Sequence, residues 1–179
     1  MHGERESEPI PMSNPTTVER ESERELVVTR TFDGPASLVF EAWTKAELLQ
    51  RWWTPKSFGI TFVSCEADVR TGGTYRFVFS HPDLEQPMAF FGRYIEVTPH
   101  SRIVWTNEES ADGAISTVTF EEKDGKTLLV LRELYPSKQA LDDAIASGST
   151  GTGAAPEQFE LLDEVLATLA TSEQAPPRA

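Results

Sequence analysis

The sequence has little of the chemistry that carries metal binding or nucleophilic catalysis. One cysteine, Cys65, is present in 179 residues, which excludes an intramolecular disulfide and a cysteine metal cluster. We interpret it as a small apolar residue on a strand. The three histidines, His2, His81 and His100, fall in the N-terminal segment and in two predicted turns, so their spacing indicates neither a metal triad nor a Ser-His-Asp arrangement. We expect no catalytic residue, no metal and no cofactor.

Clustered basic residues and long apolar runs are missing as well. Lys and Arg number 16 against 29 Asp and Glu, for a formal net charge of −13. Phosphate binding needs clustered Lys and Arg, so nucleic acid is excluded as a partner. No stretch approaches the roughly 20 apolar residues of a membrane span, and residues 1–24 lack the apolar segment of a secretory signal. We expect a cytoplasmic protein without membrane insertion.

The remaining composition predicts one folded domain between two tails. A hydrophobic content of 39% in 179 residues is enough for a single substantial core. Residues 1–24 and 171–179 contain almost no large apolar side chain, so burial cannot offset the entropy of ordering them. We predict disordered tails at 1–24 and 171–179, a domain at 25–170, and a monomer.

The first part of the domain reads as a strand followed by two short helices. Residues 26–32 are β-branched and apolar, which is typical of a strand. Pro35 then begins a helix. Thr44 and Glu47 have capping-box spacing, which predicts a second helix as far as residue 51. Pro55 ends this helical pair, because proline disfavours helix at the residue before it.

From residue 59 onward, apolar and polar residues alternate with the two-residue period of strands in place of the helical period, and turn residues separate the segments. With the first strand, this predicts about seven antiparallel strands, enough for a strongly twisted sheet. Ser137 is placed to cap a short helix over residues 137–146. The six further strands are predicted at residues 59–66, 73–80, 88–98, 102–107, 115–122 and 127–134.

The last helix, predicted at residues 156–170, is amphipathic. Its apolar residues recur at three- and four-residue spacing, and its acidic residues occupy the opposite side. The only large apolar surface available to this stripe is the predicted sheet. An antiparallel sheet with its helices on one side is an α+β layer, and a curved sheet gripping one long helix is one solution. The stripe consists of Phe159, Leu162, Val165, Leu166 and Leu169.

Four blocks in this order resemble the SRPBCC or START-like superfamily, in the branch named for homology to the activator of the heat-shock protein 90 ATPase. The resemblance covers about residues 26–170 and implies a helix-grip fold of the Bet v 1 type, with the C-terminal helix closing a cavity over the sheet. One departure is Ala155-Pro156, where relatives often have Gly and a large apolar residue, so the cavity mouth is expected to differ. The blocks are RTFDGPASLVFEAWT at 30–44, RWWTP at 51–55, DVRTGGTYRF at 68–77 and EQFELLDEVLA at 157–167.

The resemblance implies that the domain binds a small hydrophobic or amphipathic molecule, such as a lipid, sterol, polyketide or aromatic compound, between sheet and helix. Alternation places Tyr75, Phe77 and Phe79 on one strand face, which we expect to look toward the helix. Adjacent Trp52 and Trp53 point in opposite directions if extended, and we predict that Trp53 reaches the cavity. The predicted ligand-binding residues are Trp53, Tyr75, Phe77, Phe79, Phe90, Tyr94, Trp105, Phe159, Leu162 and Leu166.

Other interpretations stay open. The aromatic residues can be plain core. The branch's name suggests a chaperone-interaction module for a heat-shock protein 90, and a minority of the superfamily are enzymes, so a lyase or hydrolase in the same cavity is a further alternative. Glu66, Asp68 and Arg70 share one alternation. Their alternative role is catalytic, with a carboxylate as general base and the arginine as anion clamp; we favour an ion pair beside a turn. Arg132 either points into the cavity or pairs with an acidic neighbour.

Overall fold

The computed structural model describes residues 14–148 and 150–174. Within these residues, eight strands and four helices follow one another, with single 3₁₀ turns at Lys56–Phe58 and Gly151–Ala154. In chain order the elements are β1 (Thr17–Arg20), β2 (Glu25–Asp33), α1 (Ala36–Thr44), α2 (Ala46–Trp52), β3 (Thr61–Ala67), β4 (Thr74–Ser80), β5 (Met88–Thr98), β6 (Arg102–Thr106), β7 (Ile115–Lys123), β8 (Lys126–Leu134), α3 (Lys138–Ser147) and α4 (Ala155–Gln174).

All eight strands form one curved antiparallel sheet in the order β1-β2-β8-β7-β6-β5-β4-β3. The strands from β3 to β8 form a meander, and α1 and α2 carry the chain from β2 to the far edge at β3. The register shifts between Phe62 and Ser64 and between Tyr94 and Glu96, and such bulges increase local twist and bend. The predicted α+β helix-grip architecture, including all seven predicted strands, is confirmed.

An eighth strand, β1, lies within the segment predicted to be a disordered tail. Its four residues are all exposed, including Val18 at 43%, and they pair with β2 from Thr17 opposite Thr29 to Arg20 opposite Leu26. The prediction of a disordered tail is therefore wrong for Thr17–Arg20. A strand that pairs through its backbone without burying side chains leaves no apolar pattern in the sequence, which is why it was not predicted. Residues 1–13 of that prediction lie outside the described residues.

The junction between the two short helices also differs from the prediction. Thr44 is the last residue of α1, and its hydroxyl donates to the carbonyl of Glu41 at 3.3 Å. Lys45 is extended and precedes α2 without a side-chain cap. The helices therefore turn at a single residue, and the predicted capping box between Thr44 and Glu47 does not form.

Helix α4 lies across the concave face of the sheet with its apolar stripe inward. Phe159, Leu162, Val165 and Leu166 are at most 3% exposed, and Leu169 is partly buried against the same core. The helix begins at Ala155 and continues to Gln174, past the predicted end at residue 170. The predicted tail at 171–179 is therefore wrong for its first four residues, and residues 175–179 lie outside the described part.

A buried arginine joins this helix to the sheet. Arg30 of β2 is 1% exposed, and its guanidinium donates to Glu160 at 3.1 Å and to Asp163 at 2.5 Å. It also lies 5.2 Å from the ring centre of Phe32. The sequence pattern placed Glu160 and Asp163 on the side of α4 opposite its apolar stripe. In the structure these two residues bind Arg30 and so connect α4 to β2.

Helix α3 begins as predicted. The Ser137 hydroxyl accepts a hydrogen bond from the backbone amide of Ala140 at 3.0 Å, and Gly148 ends the helix in the left-handed conformation at φ 70°. Such a cap stabilises a helix by about 1 kcal/mol. None of the helices in the described ranges is long and apolar enough to cross a membrane.

Candidate ligand-binding cavity

A cavity of about 860 Å³ lies between the concave face of the sheet and the helices. Leu162 and Leu166 do not line it; both are fully buried core residues of α4. The predicted residues that line the cavity are Trp53, Tyr75, Phe77, Phe79, Phe90, Tyr94, Trp105 and Phe159.

Strand alternation positions the aromatic wall. Tyr75, Phe77 and Phe79 of β4 are at most 6% exposed and share the face toward α4. On β5, Phe90 lines the cavity at its rim with 36% exposure, while the adjacent Phe91 points to the other side of the sheet. The Phe90 ring lies 5.4 Å from the Phe79 ring. The wall is thus a packed aromatic layer that opens at one edge.

All four tryptophans of the chain line the cavity. Trp52 is fully buried, and its indole donates to the carbonyl of Ala42 at 3.0 Å. Trp53 is partly buried against Phe77 at 5.4 Å between ring centres. The prediction that Trp53 reaches the cavity holds, but Trp52 reaches it as well.

Trp43 of α1 is not among the predicted ligand-binding residues. It lies 4.7 Å from Trp52 and 5.9 Å from Trp105 between ring centres, and it borders the cavity. Among the described residues, its buried Nε1 has no hydrogen-bond partner. A buried N–H without an acceptor is uncommon, so the cavity wall next to Trp43 includes an unused donor.

The end of the cavity away from the tryptophan cluster is lined by polar side chains, which the sequence analysis did not predict as part of the site. Glu133 of β8 is 6% exposed, and Tyr135 donates its hydroxyl to Oε2 of Glu133 at 3.1 Å. The Asn107 amide donates to Ser116 Oγ at 3.1 Å. Glu133 alternates in phase with the buried residues Leu129 and Leu131 along β8. This alternation is the feature of the sequence that places Glu133 on the inner face of the sheet.

Arg132 faces the opposite side of β8. It donates to Glu21 at 2.8 Å and to Glu25 at 2.9 Å. The alternative in which Arg132 points into the cavity is therefore wrong, and its ion-pair interpretation is confirmed.

Acidic residues surround the mouth of the cavity. Glu109, Asp112 and Asp143 line it and are solvent-exposed. Neighbouring protein nevertheless raises the pKa of Glu109, chiefly by partial burial, against a smaller opposing effect of backbone amides. Burial likewise raises the pKa of Tyr75 and of Tyr94 well above the ordinary tyrosine value. Both hydroxyls stay protonated at neutral pH, and the Tyr75 hydroxyl donates a hydrogen bond to the carbonyl of Thr106 at 2.6 Å.

The remaining candidate residues lie outside the cavity. Arg70 pairs with Asp68 at 2.8 Å on the surface, as predicted, which fits a structural role beside the turn. Cys65 is partly buried, and burial raises the pKa of its thiol to about 11. His100 packs edge-on against Phe40 at 5.4 Å. Over residues 14–148 and 150–174, no group of three or more His, Cys, Asp or Glu is arranged to hold a metal ion.

The fold agrees with comparisons to known proteins. A family model described as activator of Hsp90 ATPase homolog 1-like protein matches residues 33–167. The chain belongs to this family, within the START-like superfamily expected from its sequence blocks. A search of curated proteins finds no significant match.

Solved structures extend the likeness over the whole domain. A crystal structure from Rhodobacter sphaeroides has 24% identity and a TM-score of 0.75, and the match covers 86% of this chain and 99% of that one. A crystal structure from Nitrosomonas europaea has 22% identity and a TM-score of 0.71, with 84% and 99% covered. An AHSA1-like protein from Aeromonas hydrophila, solved by NMR, has 16% identity and a TM-score of 0.58, with 86% and 99% covered. At these identities the likeness concerns the fold alone.

Proposed function

We propose that this protein binds a small apolar or amphipathic molecule inside the cavity between the sheet and α4. The observation that carries the proposal is the cavity itself, with about 860 Å³ of space bordered by all four tryptophans of the chain. Small-molecule sites in proteins are concave, mostly apolar and about 300 to 1,000 Å³ in volume. The size and the lining both fit that description.

Burial of the ligand's apolar surface supplies the affinity. Each Å² of apolar surface removed from water is worth about 25 cal/mol, and aromatic walls such as Tyr75, Phe77 and Phe79 supply a large contact area at low entropic cost. The polar end around Glu133 and Tyr135 sets the orientation of the ligand. In this mechanism the sheet provides the rigid wall, while α4 covers it through Phe159.

A matched pair of substitutions tests the proposal. Phe90 and Phe91 are neighbours on β5 with 36% and 39% exposure, but only Phe90 borders the cavity. A thermal-shift screen of fatty acids, sterols, aromatic polyketides and amines identifies a binder. Phe90→Ala then weakens its binding by about 3- to 10-fold, the value of one aromatic contact, whereas Phe91→Ala changes it by less than about 2-fold. Equal effects of the two substitutions, or no binder in any class, contradict the proposal.

The family's description supports a second candidate, an interaction with a heat-shock protein 90. Such an interaction uses an outer surface and leaves the cavity unused. It predicts that the protein stimulates the ATPase of the chaperone from the same organism and that Phe90→Ala, on the cavity rim, leaves this stimulation unchanged. Absence of stimulation removes this candidate without affecting the first.

A further inference from the structure

The charged side chains of the described residues that line the cavity are all acidic. Glu109, Asp112 and Asp143 lie around the mouth and Glu133 lies inside. Among the described residues that border the cavity there is no Lys, Arg or His. A cavity adapted to fatty acids or other carboxylates needs a cation or a concentration of hydrogen-bond donors to receive the negative group, and this lining instead offers carboxylates.

Three arginines on strands that border the cavity pair with carboxylates outside it. Arg132 pairs with Glu21 and Glu25 on the outer side of β8. On β5, Arg93 pairs with Glu108 at 3.1 Å, and on β6, Arg102 pairs with Glu96 at 3.0 Å. Neither of these acidic partners lines the cavity. These three guanidinium groups therefore pair with carboxylates on the outer side of the sheet and do not border the cavity.

One row of cross-strand neighbours connects the inner carboxylate to the aromatic wall. Glu133 of β8 is paired with Ser116 of β7, Ser116 with Trp105 of β6, and Trp105 with Tyr94 of β5. All four residues border the cavity. Adjacent strands are about 4.8 Å apart, so the Glu133 and Trp105 backbones are separated by about 10 Å. A molecule of that length touches both.

Building on the binding function proposed above, we propose that the ligand is an organic cation: a protonated amine or quaternary ammonium on an apolar body, with its positive group at Glu133 and its body against Trp105 and Tyr94. Tryptophan and tyrosine faces attract cations as well as apolar groups, so the lining suits both parts of such a molecule. The mouth carboxylates and the net charge of −13 attract cations and repel anions before contact.

A series of ligands that differ only in charge tests this inference. The naphthyl set is 1-naphthylmethylamine, 1-naphthylmethanol and 1-naphthoate, and the octyl set is octylamine, octanol and octanoate. Each is titrated calorimetrically at pH 7 in low salt. Within a set, the amine is expected to bind at least about tenfold tighter than the alcohol, since a hydrogen bond to a charged group is stronger than one between neutral groups. The carboxylate is expected to bind more weakly than the alcohol. Added salt should reduce the differences in affinity among the three ligands of a set.

Substitutions locate the charge that is recognised. Glu133→Gln keeps the side-chain shape and is expected to weaken amine binding about tenfold while changing alcohol binding by less than about twofold. Glu121→Gln removes the same charge from an exposed position on β7 outside the cavity and is expected to leave the amine-to-alcohol ratio unchanged. The wild-type ratio and its salt dependence test the inference even if Glu133→Gln fails to fold.

The outcomes separate this inference from the function on which it rests. If the alcohols bind and the amines bind no tighter, or if the carboxylates bind tightest, the cation inference is overturned and the binding function stands. If Glu121→Gln lowers the ratio as much as Glu133→Gln, a general electrostatic effect replaces the assigned site. If no member of either set binds, the cation inference is overturned, and the binding function is decided separately by the screen of fatty acids, sterols and aromatic polyketides.

Discussion

A substitution at Leu162 tests the packing of α4 against the core without altering the cavity wall. Its side chain is 0% exposed and does not border the cavity, so Leu162→Ala should remove core contacts and nothing else. Three carbon atoms are lost, at about 0.8 kcal/mol each for transfer from water. The void left behind adds to this, and buried Leu-to-Ala changes cost about 2 to 5 kcal/mol in total. We predict a loss of about 3 kcal/mol in the free energy of unfolding.

Urea unfolding followed by tryptophan fluorescence measures this loss, because all four tryptophans border the cavity and report the same transition. For a domain of this size, 3 kcal/mol corresponds to a melting temperature about 6 to 12 °C lower. Leu134→Ala is the matched control, since Leu134 is 41% exposed on β8, and should cost less than about 1 kcal/mol. The reasoning is refuted if Leu162→Ala costs as little as Leu134→Ala, or if it weakens ligand binding as much as Phe90→Ala.

Three further predictions concern charge and reactivity. Arg30→Met removes the buried guanidinium between β2 and α4 and should lower the free energy of unfolding by about 2 kcal/mol. This is less than the loss for a fully buried ion pair, because Asp163 and Glu160 retain contact with water. An unchanged urea midpoint contradicts this prediction. The pKa of Glu109 is raised in the folded protein, so its protonated form stabilises the fold at acid pH, and that contribution is lost as pH rises through the folded-state pKa. Glu109→Gln should therefore melt higher than wild type at pH 7 to 8 and equal to it below about pH 4; a pH-independent difference contradicts this. With the pKa of Cys65 raised to about 11 by burial, its thiol should react with a disulfide reagent at pH 7.5 about 100-fold more slowly in the folded than in the urea-unfolded protein; equal rates contradict this.

The sequence patterns that specify this fold are those tied to burial. Period-two alternation from residue 59 onward and the stripe on α4 reflect which side chains face the core, and both were enough to predict the strands and the last helix. Strand β1 is missed because Thr17–Arg20 are exposed on both faces. Its pairing with β2 depends on backbone hydrogen bonds, which any sequence can make and no composition reveals.

The apolar wall of the cavity was predictable for the same reason, whereas its polar end was not. Core and cavity wall carry the same residue types, so the pattern alone does not separate Leu162, which is core, from Phe159, which borders the cavity. Glu133 sits at an inward position of β8, but alternation does not say whether an acidic residue there is paired with a neighbour or turned toward a cavity. That distinction depends on how the helices pack over the sheet, since Ala140 and Ala144 of α3 border the same cavity as Glu133.

The buried Arg30 illustrates the limit of amphipathic patterning. Glu160 and Asp163 lie on the polar side of α4, and their spacing indicates only solvent exposure. In the fold they lie within reach of an arginine on β2, 130 and 133 positions away in the chain. Only the path of the helix across the sheet brings these residues together.

The most direct test of the central claim uses the indole N–H signals of the tryptophans in a ¹⁵N–¹H correlation spectrum. The chain has four tryptophans, all bordering the cavity, so the spectrum should contain four such signals. Titration with an apolar amine is predicted to shift them saturably, with one common dissociation constant, while the amide of Gly125 in the distant β7–β8 turn stays fixed. Four unmoved indole signals through titrations with amine, alcohol, fatty acid and sterol would contradict ligand binding in the cavity.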